Sequence, residues 1–196
     1  IGVLAGIKAA CEHLHGDGSL GNKRVLVQGL GSVGGPLVEL LLNSGARVLF
    51  TEVDESLVKQ YRSKFGLEYV PPGAVYDTEC DVFSPCAIGG ILTPETASRI
   101  KCKAIVGGAN DQLSSPDVAR IMEKRSVLYA PDYVVNVGGA MAILGMETQG
   151  WSKERAEEEV ALAVRMALKK VLELAREQGI TTEEAASRVA EKRLLD

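Results

Sequence analysis

The sequence lacks an excess of basic residues, and this absence argues against a nucleic-acid partner. Its 22 lysines and arginines are outnumbered by 26 aspartates and glutamates, so the formal net charge is −4 at pH 7. A chain with this balance presents no overall positive field to a phosphate backbone. We therefore expect no DNA or RNA partner.

Long apolar runs, signal sequences and paired cysteines are also missing. The longest weakly polar run, Val134–Met146, is interrupted by Asn136 and by glycines and falls short of the roughly 18 residues that a membrane-spanning helix needs. The apolar opening Ile1–Ala10 has no basic segment before it and contains Lys8, unlike a signal peptide. The four cysteines form neither a C-x-x-C pair nor a zinc pattern, which favours reduced thiols. These absences predict a cytoplasmic protein with no metal site and no membrane partner.

Short apolar runs alternate with amphipathic stretches along the first two thirds of the chain. The strand-like runs are Arg24–Gln28, Arg47–Thr51, Asp81–Ser84, Ala104–Val106 and Val127–Tyr129. Nearly continuous apolar runs are typical of strands that are buried on both faces of a parallel sheet. Strand and helix alternating at this spacing predict an α/β fold, a doubly wound parallel sheet with helices on both faces.

Helix signals divide the chain into a sheet domain and a helical tail. Asp54, Thr93 and Ser115 are predicted N-caps, the latter two each followed by a proline at the first helical position. We assign residues 1–150 to the sheet domain with a leading helix, and residues 151–196 to C-terminal helices that pack on it. The apolar stripe of the leading helix begins without any start signal, which favours a piece of a longer chain.

The segment from Gly29 to Gly34 fits the pattern G-x-G-x-x-G between a predicted strand and a predicted helix. Gly29 permits a tight turn, Gly31 lets a pyrophosphate approach the backbone, and Gly34 lets helix and strand pack closely. Glu52 follows 21 residues after Gly31, at the end of the second strand, where a carboxylate binds ribose hydroxyls and repels a 2′-phosphate. This context predicts a Rossmann-type fold that binds NAD rather than NADP. The alternative is a glycine turn that binds another ligand or none.

Three further segments carry recognisable motifs: Cys80–Gly90, Gly107–Leu113 and Tyr129–Gly139. Together these segments resemble the amino acid dehydrogenases, most closely the leucine, phenylalanine and valine branch of the glutamate dehydrogenase superfamily. The resemblance covers essentially the whole chain and corresponds to that family's C-terminal, cofactor-binding domain. It implies NAD as cofactor, a homo-oligomeric parent enzyme, and reversible oxidative deamination of an L-amino acid to a 2-oxo acid and ammonia.

The glycine pattern and the resemblance together assign a set of cofactor-binding residues. They are Gly29, Leu30, Gly31, Ser32, Val33, Gly34, Glu52, Val53, Cys86, Ala87, Ala109, Asn110 and Asn136. The resemblance implies that Asn110 bonds cofactor or substrate and that Asn136 orients the substrate. A carboxamide suits both roles, because it donates and accepts without titrating. The alternative is that both asparagines are turn or cap residues.

The resemblance also implies a substrate pocket formed by Asn136, Ala140 and Ile143. Ala140 and Ile143 are three residues apart and share a helix face. A small residue at the first of these positions resembles the phenylalanine-type enzymes, so we expect a large or aromatic substrate side chain; ordinary helix packing is the alternative. Asp111 and Val137 depart from the usual residues of this branch.

No catalytic residue is predicted within this chain. The resemblance places the family's lysine base and aspartate on a preceding domain, so we expect cofactor binding without turnover by the chain alone. His13 and His15 lie in or beside a solvated turn and are predicted to be surface residues. Two other interpretations remain: a stand-alone module that binds or senses NAD, and a degenerate relative with a purely structural role.

Overall fold

A parallel sheet forms the centre of the molecule, and the computed structural model describes residues 1–195 of the chain. Six strands are found in that range: β1 (Arg24–Gln28), β2 (Arg47–Thr51), β3 (Glu68–Tyr69), β4 (Cys80–Pro85), β5 (Cys102–Ile105) and β6 (Leu128–Tyr129). All pair in parallel in the order β3-β2-β1-β4-β5-β6. This is the order of a dinucleotide-binding Rossmann sheet, and it reverses between β1 and β4. The predicted fold class is confirmed.

Helices cover both faces of this sheet. Residues 1–195 contain α1 (Gly2–His15), α2 (Gly34–Asn43), α3 (Glu55–Phe65), α4 (Pro94–Arg99), α5 (Val118–Lys124), α6 (Asp132–Val135), α7 (Gly138–Gln149), α8 (Lys153–Gln178) and α9 (Thr182–Leu195), and a 3-10 helix at Pro72–Asp77. Of these described helices, none is both apolar enough and long enough to cross a membrane.

Alternate residues of each central strand enter two separate apolar clusters. Val25 and Val27 of β1 pack in the cluster that contains α1, α2 and α8, whereas Leu26 packs on the opposite face with α4 and α5. Val82 and Phe83 of β4 divide in the same way. Because both faces are buried, the central positions of β1, residues 25–27, are all apolar, and this run shows no alternation in the sequence.

The C-terminal helices are part of the same packed structure as the sheet. Val160, Val164 and Leu168 of α8 are almost fully buried in the cluster that also holds Ile7 of α1. Two oxygens of Glu12 accept hydrogen bonds of 2.9 Å from the Arg165 guanidinium and thereby join α1 to α8 at the surface. The leading helix and the tail therefore cover one side of the sheet together.

Two of the three predicted helix caps are confirmed, and the third is wrong. The Asp54 side chain accepts from the N–H groups of Ser56 and Leu57, and the Thr93 hydroxyl accepts from Thr96 N in a capping box. Ser115 does not cap α5, because its carbonyl accepts from Val118 N in a backbone turn that delays the helix to Val118. β3 was not predicted, since its two residues are too few to show a strand period. The 3-10 helix was not predicted either.

Candidate functional site

The predicted cofactor-binding residues all lie at the carboxyl edge of the sheet. Gly29 follows β1, Glu52 follows β2, Cys86 follows β4, and Ala109 lies beyond β5. In open parallel sheets, ligands bind in the crevice outside the carboxyl ends of the strands, where the strand order reverses. Here that point lies at the carboxyl ends of the neighbouring strands β1 and β4.

The three glycines of the G-x-G-x-x-G segment have different surroundings. Gly29 adopts a φ of +88°, and a Cβ placed on it would lie 2.7 Å from the Ala87 Cβ. A Cβ on Gly34 would lie 1.9 Å from the Gly29 carbonyl oxygen, so only glycine fits where helix and loop meet. By contrast, a Cβ on Gly31 would have no atom of the described residues within 4 Å. The loop is therefore tightly packed at both ends and open in the middle.

The N-terminus of α2 is available to an anion. Its N-cap residue is Val33, no side chain of the described residues caps it, and its first turn contains no acid. Ser32 and Val33 are exposed beside it. Unpaired N–H groups and the helix dipole at such an end attract negative charge. The Leu30 side chain, however, is only 4% exposed, so Leu30 contributes its backbone and not its side chain to this site.

Glu52 holds the glycine loop as well as facing the cleft. Its Oε2 accepts from Leu30 N at 2.8 Å, and its Oε1 accepts from Val53 N at 2.6 Å and Asp54 N at 3.1 Å. Partial burial raises the pKa of the Glu52 carboxyl, but these three backbone donors outweigh it and bring the pKa below its usual value. A carboxylate has about four acceptor positions, so one remains for a hydroxyl donor. Val53 is 83% exposed next to it.

The two predicted amide side chains, Asn110 and Asn136, lie together on the β5–β6 side of the strand-order reversal. Asn136 Nδ2 donates to Asn110 Oδ1, and also to the Gly108 carbonyl at 3.3 Å. Ala109 is buried, and its N–H donates to the Pro85 carbonyl at 2.9 Å. The loops after β4, β5 and β6 are thus joined through backbone and amide contacts.

A cavity of about 300 Å³ lies between Asn136 and the end of the glycine loop, and residues of α1 and α8 also line it. It is bordered by Ser32 and Val33 before α2, by Gly108, and by Asn136 and Gly139 near α7. Ala140 and Ile143 do not border it; both lie exposed on α7, where the Ile143 side chain is 55% exposed. In this chain, the two predicted pocket residues therefore face away from the cavity wall.

Neither cysteine nor histidine supplies a nucleophile or base to this edge. Burial raises the pKa of the Cys86 thiol, which lies 3.6 Å from the Ser84 hydroxyl. A buried, protonated thiol is a poor nucleophile. His13 and His15 are exposed in the last turn of α1, as predicted. The residues that the structure describes contain no cluster suited to a metal ion.

Sequence reasoning missed Gln112 and Asp132, two buried polar residues that hydrogen-bond the segments carrying Asn110 and Asn136. Gln112 is fully buried, and its Nε2 donates to the carbonyl oxygens of Gly107 and Ala109. Asp132 is 8% exposed and accepts from Gln112 N at 3.4 Å. Gln112 lies in a polar, turn-like segment, and Asp132 is a lone acid beside Pro131, so the local sequence carried no signal for the burial of either side chain.

Comparisons with known proteins identify the family of this chain. The sequence model of the Glutamate/Leucine/Phenylalanine/Valine dehydrogenase family matches residues 49–196. Leucine dehydrogenase of Thermoactinomyces intermedius is 40% identical over 98% of this chain and 52% of its own length. Phenylalanine dehydrogenase of Bacillus thermotolerans is 37% identical over 99% of this chain and 52% of its own length.

A solved structure shares the fold of this chain. The crystal structure of L-tryptophan dehydrogenase from Nostoc punctiforme superposes with a TM-score of 0.92 at 36% identity, covering 98% of this chain and 57% of that one. The chain thus spans about half the length of the curated relatives it matches. On these grounds the chain belongs to the Glutamate/Leucine/Phenylalanine/Valine dehydrogenase family.

Proposed function

We propose that this chain is the coenzyme-binding half of an NAD-dependent L-amino acid dehydrogenase that catalyses reversible oxidative deamination to a 2-oxo acid and ammonia. The observation that carries the proposal is the meeting of three features at the strand-order reversal: the open backbone at Gly31, the uncapped N-terminus of α2 and the Glu52 carboxylate. The names of the relatives, which are leucine, phenylalanine and L-tryptophan dehydrogenases, supply the reaction class.

The residues at this edge fit the adenosine and pyrophosphate parts of NAD. The N–H of Gly34 and those of the loop just before it would receive the pyrophosphate, because Gly31 leaves the space beside them open. Glu52 would accept from a ribose hydroxyl with its remaining acceptor position. The charges of Glu52 and Asp54 would repel a 2′-phosphate, which favours NAD over NADP.

The residues after β4, β5 and β6 fit the nicotinamide part. Cys86 and Ala87 would lie behind the second ribose, and Ala109 would lie against the ring. Asn110 would bond the carboxamide or the substrate, and Asn136 would orient the substrate. When bound, the oxidised nicotinamide supplies a hydride acceptor; the chain's own residues bind and orient.

The acid–base residues of the reaction belong, in this proposal, to the half of the relatives that this chain does not span. Hydride transfer needs coenzyme and substrate held in near-attack geometry by both halves. We therefore expect the 196-residue chain to bind NAD but to show no turnover. We also expect the complete enzyme to be a homo-oligomer, as the family resemblance implies.

The substrate proposal is an L-amino acid with a large or aromatic side chain. Ala140 is small, so space remains beside Ile143 on the exposed face of α7. In a full-length enzyme that contains this chain, kcat/KM for phenylalanine should exceed that for leucine. A strong preference for leucine would contradict this proposal and leave the NAD proposal untouched.

A binding titration tests the coenzyme proposal directly. The chain is titrated calorimetrically with NAD and NADP, as wild type and as Glu52→Ala. NAD should bind the variant more weakly by about 1–3 kcal/mol, because a hydrogen bond to a charged group is lost, and the preference over NADP should narrow. Arg47→Ala is the matched control, since Arg47 begins the same strand at its opposite end and is exposed.

Denaturant unfolding of each variant separates lost binding from lost folding. Glu52→Gln serves as a second variant, because it keeps one carbonyl acceptor for the loop while removing the charge. Absence of NAD binding by the folded wild type, or equal NAD affinity of all variants, would refute the proposed function.

A further inference from the structure

We infer that Gln112 is a positioning residue that holds Asn110 and Asn136 in place at the nicotinamide end of the site. The inference rests on the proposed function, because it assigns those two amides to the coenzyme and substrate. Gln112 itself is 0% exposed and touches neither ligand in this proposal.

The Gln112 side chain closes the loop that precedes Asn110. Its Nε2 donates to the Gly107 carbonyl at 3.1 Å and to the Ala109 carbonyl at 2.9 Å. These two carbonyls flank Gly108, whose own carbonyl accepts from Asn136. The single carboxamide therefore sets the backbone directly before Asn110 and the acceptor that Asn136 uses.

The backbone of Gln112 joins the same loop to the segment that carries Asn136. Gln112 N donates to Asp132 Oδ2 at 3.4 Å, and Asp132 Oδ1 accepts from Tyr133 N at 2.9 Å. Asn136 N in turn donates to the Asp132 carbonyl at 2.8 Å. Gln112 is thus linked indirectly to both segments: its side chain holds the backbone before Asn110, and its N–H bonds Asp132, whose carbonyl accepts from Asn136 N.

Packing alone does not account for a glutamine at this position. Its Oε1 is buried and has no hydrogen-bond partner among the described residues. Burying an unpaired polar atom costs stability, whereas an apolar side chain of similar length would avoid that cost. What glutamine adds over methionine is the pair of N–H donors that hold the two carbonyls.

The adenosine end of the site lies outside this network. Gly31 and Glu52 follow β1 and β2, whereas Gln112 and Asp132 follow β5 and β6, across the strand-order reversal. Loss of the Gln112 donors should therefore displace the amides without disturbing the pyrophosphate and adenosine contacts. This separation makes a positioning role measurable.

The experiment compares NAD with ADP-ribose, which carries the same adenosine and pyrophosphate but no nicotinamide. Wild-type chain should bind NAD more tightly than ADP-ribose. Gln112→Met should weaken NAD about 5- to 30-fold, the equivalent of one to two lost hydrogen bonds, while the affinity for ADP-ribose stays within about twofold. Gln60→Met, the same change at an exposed position of α3, should alter neither affinity.

A second variant covers the possibility that Gln112→Met does not fold. Asp132→Asn can keep the acceptor for Tyr133 N while turning an amide N–H₂ toward Gln112 N, so it breaks the link from the other side. It should reproduce the selective loss of NAD affinity. Unfolding curves identify any variant that is not folded.

Three results overturn the inference. Equal weakening of NAD and ADP-ribose in a folded variant would make Gln112 a merely structural residue, and unchanged NAD affinity would leave it without a role. Wild-type affinities that are equal for NAD and ADP-ribose would mean that the amides do not hold the nicotinamide. Wild type that binds neither compound would instead refute the proposed function itself.

Discussion

Two carboxylates, Glu52 and Asp111, lie on opposite sides of the strand-order reversal and differ in what holds them. Glu52 is fixed by three backbone N–H groups. Asp111 is exposed, adopts a φ of +50°, and its carbonyl accepts from Gly90 N at 2.7 Å. Asp111 therefore has a constrained backbone and a solvated charge, directly after Asn110. At the scale of residues, we expect these charges to influence which form of the coenzyme is favoured.

We predict that Asp111→Asn lowers the preference for oxidised over reduced coenzyme. The oxidised nicotinamide is cationic and would attract the Asp111 carboxylate. In general, two opposite unit charges about 4 Å apart in water attract each other by on the order of 1 kcal/mol. The ratio of NADH to NAD dissociation constants should fall about 2- to 5-fold. Asparagine tolerates the left-handed backbone that Asp111 adopts, so the fold is retained.

Calorimetric titrations with both coenzyme forms, at low and high salt, test this prediction. The difference between wild type and variant should shrink at high salt, because solvent-exposed charges are screened. Asp117→Asn, at an exposed position farther along the same loop, is the control. A ratio that the Asp111 substitution leaves unchanged would show that this charge does not reach the nicotinamide.

At the scale of elements, the loop between β1 and α2 contains one glycine that is closely packed and one that is open. Gly34 is surrounded by the Gly29 carbonyl and by Cys86, whereas Gly31 faces open space. The same residue type therefore serves the helix–strand contact at one position and leaves the backbone open at the other. Only the surroundings distinguish the two.

We predict opposite outcomes for alanine at these two glycines. Gly34→Ala forces a Cβ to within 1.9 Å of a backbone oxygen, so it should destabilise the fold by about 1–3 kcal/mol or more, the range for overpacked sites. Gly31→Ala meets no described atom within 4 Å and should leave stability within about 0.5 kcal/mol. It should nevertheless weaken NAD binding at least tenfold, a loss of about 1.4 kcal/mol, because its methyl group occupies the pyrophosphate space.

Urea unfolding and NAD titration of both variants provide the measurements. Tight NAD binding by Gly31→Ala would place the pyrophosphate elsewhere. Full stability of Gly34→Ala would mean that the loop can move away from α2, contrary to the close contact described above.

At the scale of the whole molecule, Asp81 joins three strands at the amino edge of the sheet. Its Oδ2 accepts from Arg24 N of β1 at 2.9 Å, and its Oδ1 accepts from Lys103 Nζ of β5 at 2.9 Å. Partial burial raises the pKa of Asp81, but the bonds from Lys103 and Arg24 outweigh it, so the pKa lies below its ordinary value. The carboxylate form is therefore stabilised by folding.

We predict that Asp81→Asn destabilises the protein at pH 7 and much less in acid. A carboxyl whose pKa is lowered by folding stabilises the fold at pH values above its unfolded pKa, about 3.9 for aspartate. That stabilisation is lost as the pH falls from there through the lowered native pKa. The cost at pH 7 should be about 1–3 kcal/mol, typical of a hydrogen-bonded charge.

Free energies of urea unfolding at pH 7 and pH 3 measure this difference. Glu177→Gln, at an exposed position near the end of α8, is the control and should change neither value appreciably. An equal cost of Asp81→Asn at both pH values would show that the ionised form makes no special contribution.

The sequence by itself determined the doubly wound sheet, the bounds of β1 and β2, the glycine loop and the dehydrogenase family. The sheet, the strand bounds and the glycine loop depend on contiguous residues, whose periodicity and turn chemistry are readable locally. The family came from the resemblance of three short segments to the amino acid dehydrogenases. The tertiary structure alone decided that Glu52 supports Leu30, 22 residues away, that Asn136 meets Asn110, 26 residues away, and that Gln112 is buried. It also turned the Leu30 side chain into the core and left Ile143 exposed. Such contacts arise only when parallel strands bring distant loops to one edge, and no local pattern of apolar or polar residues encodes that distance.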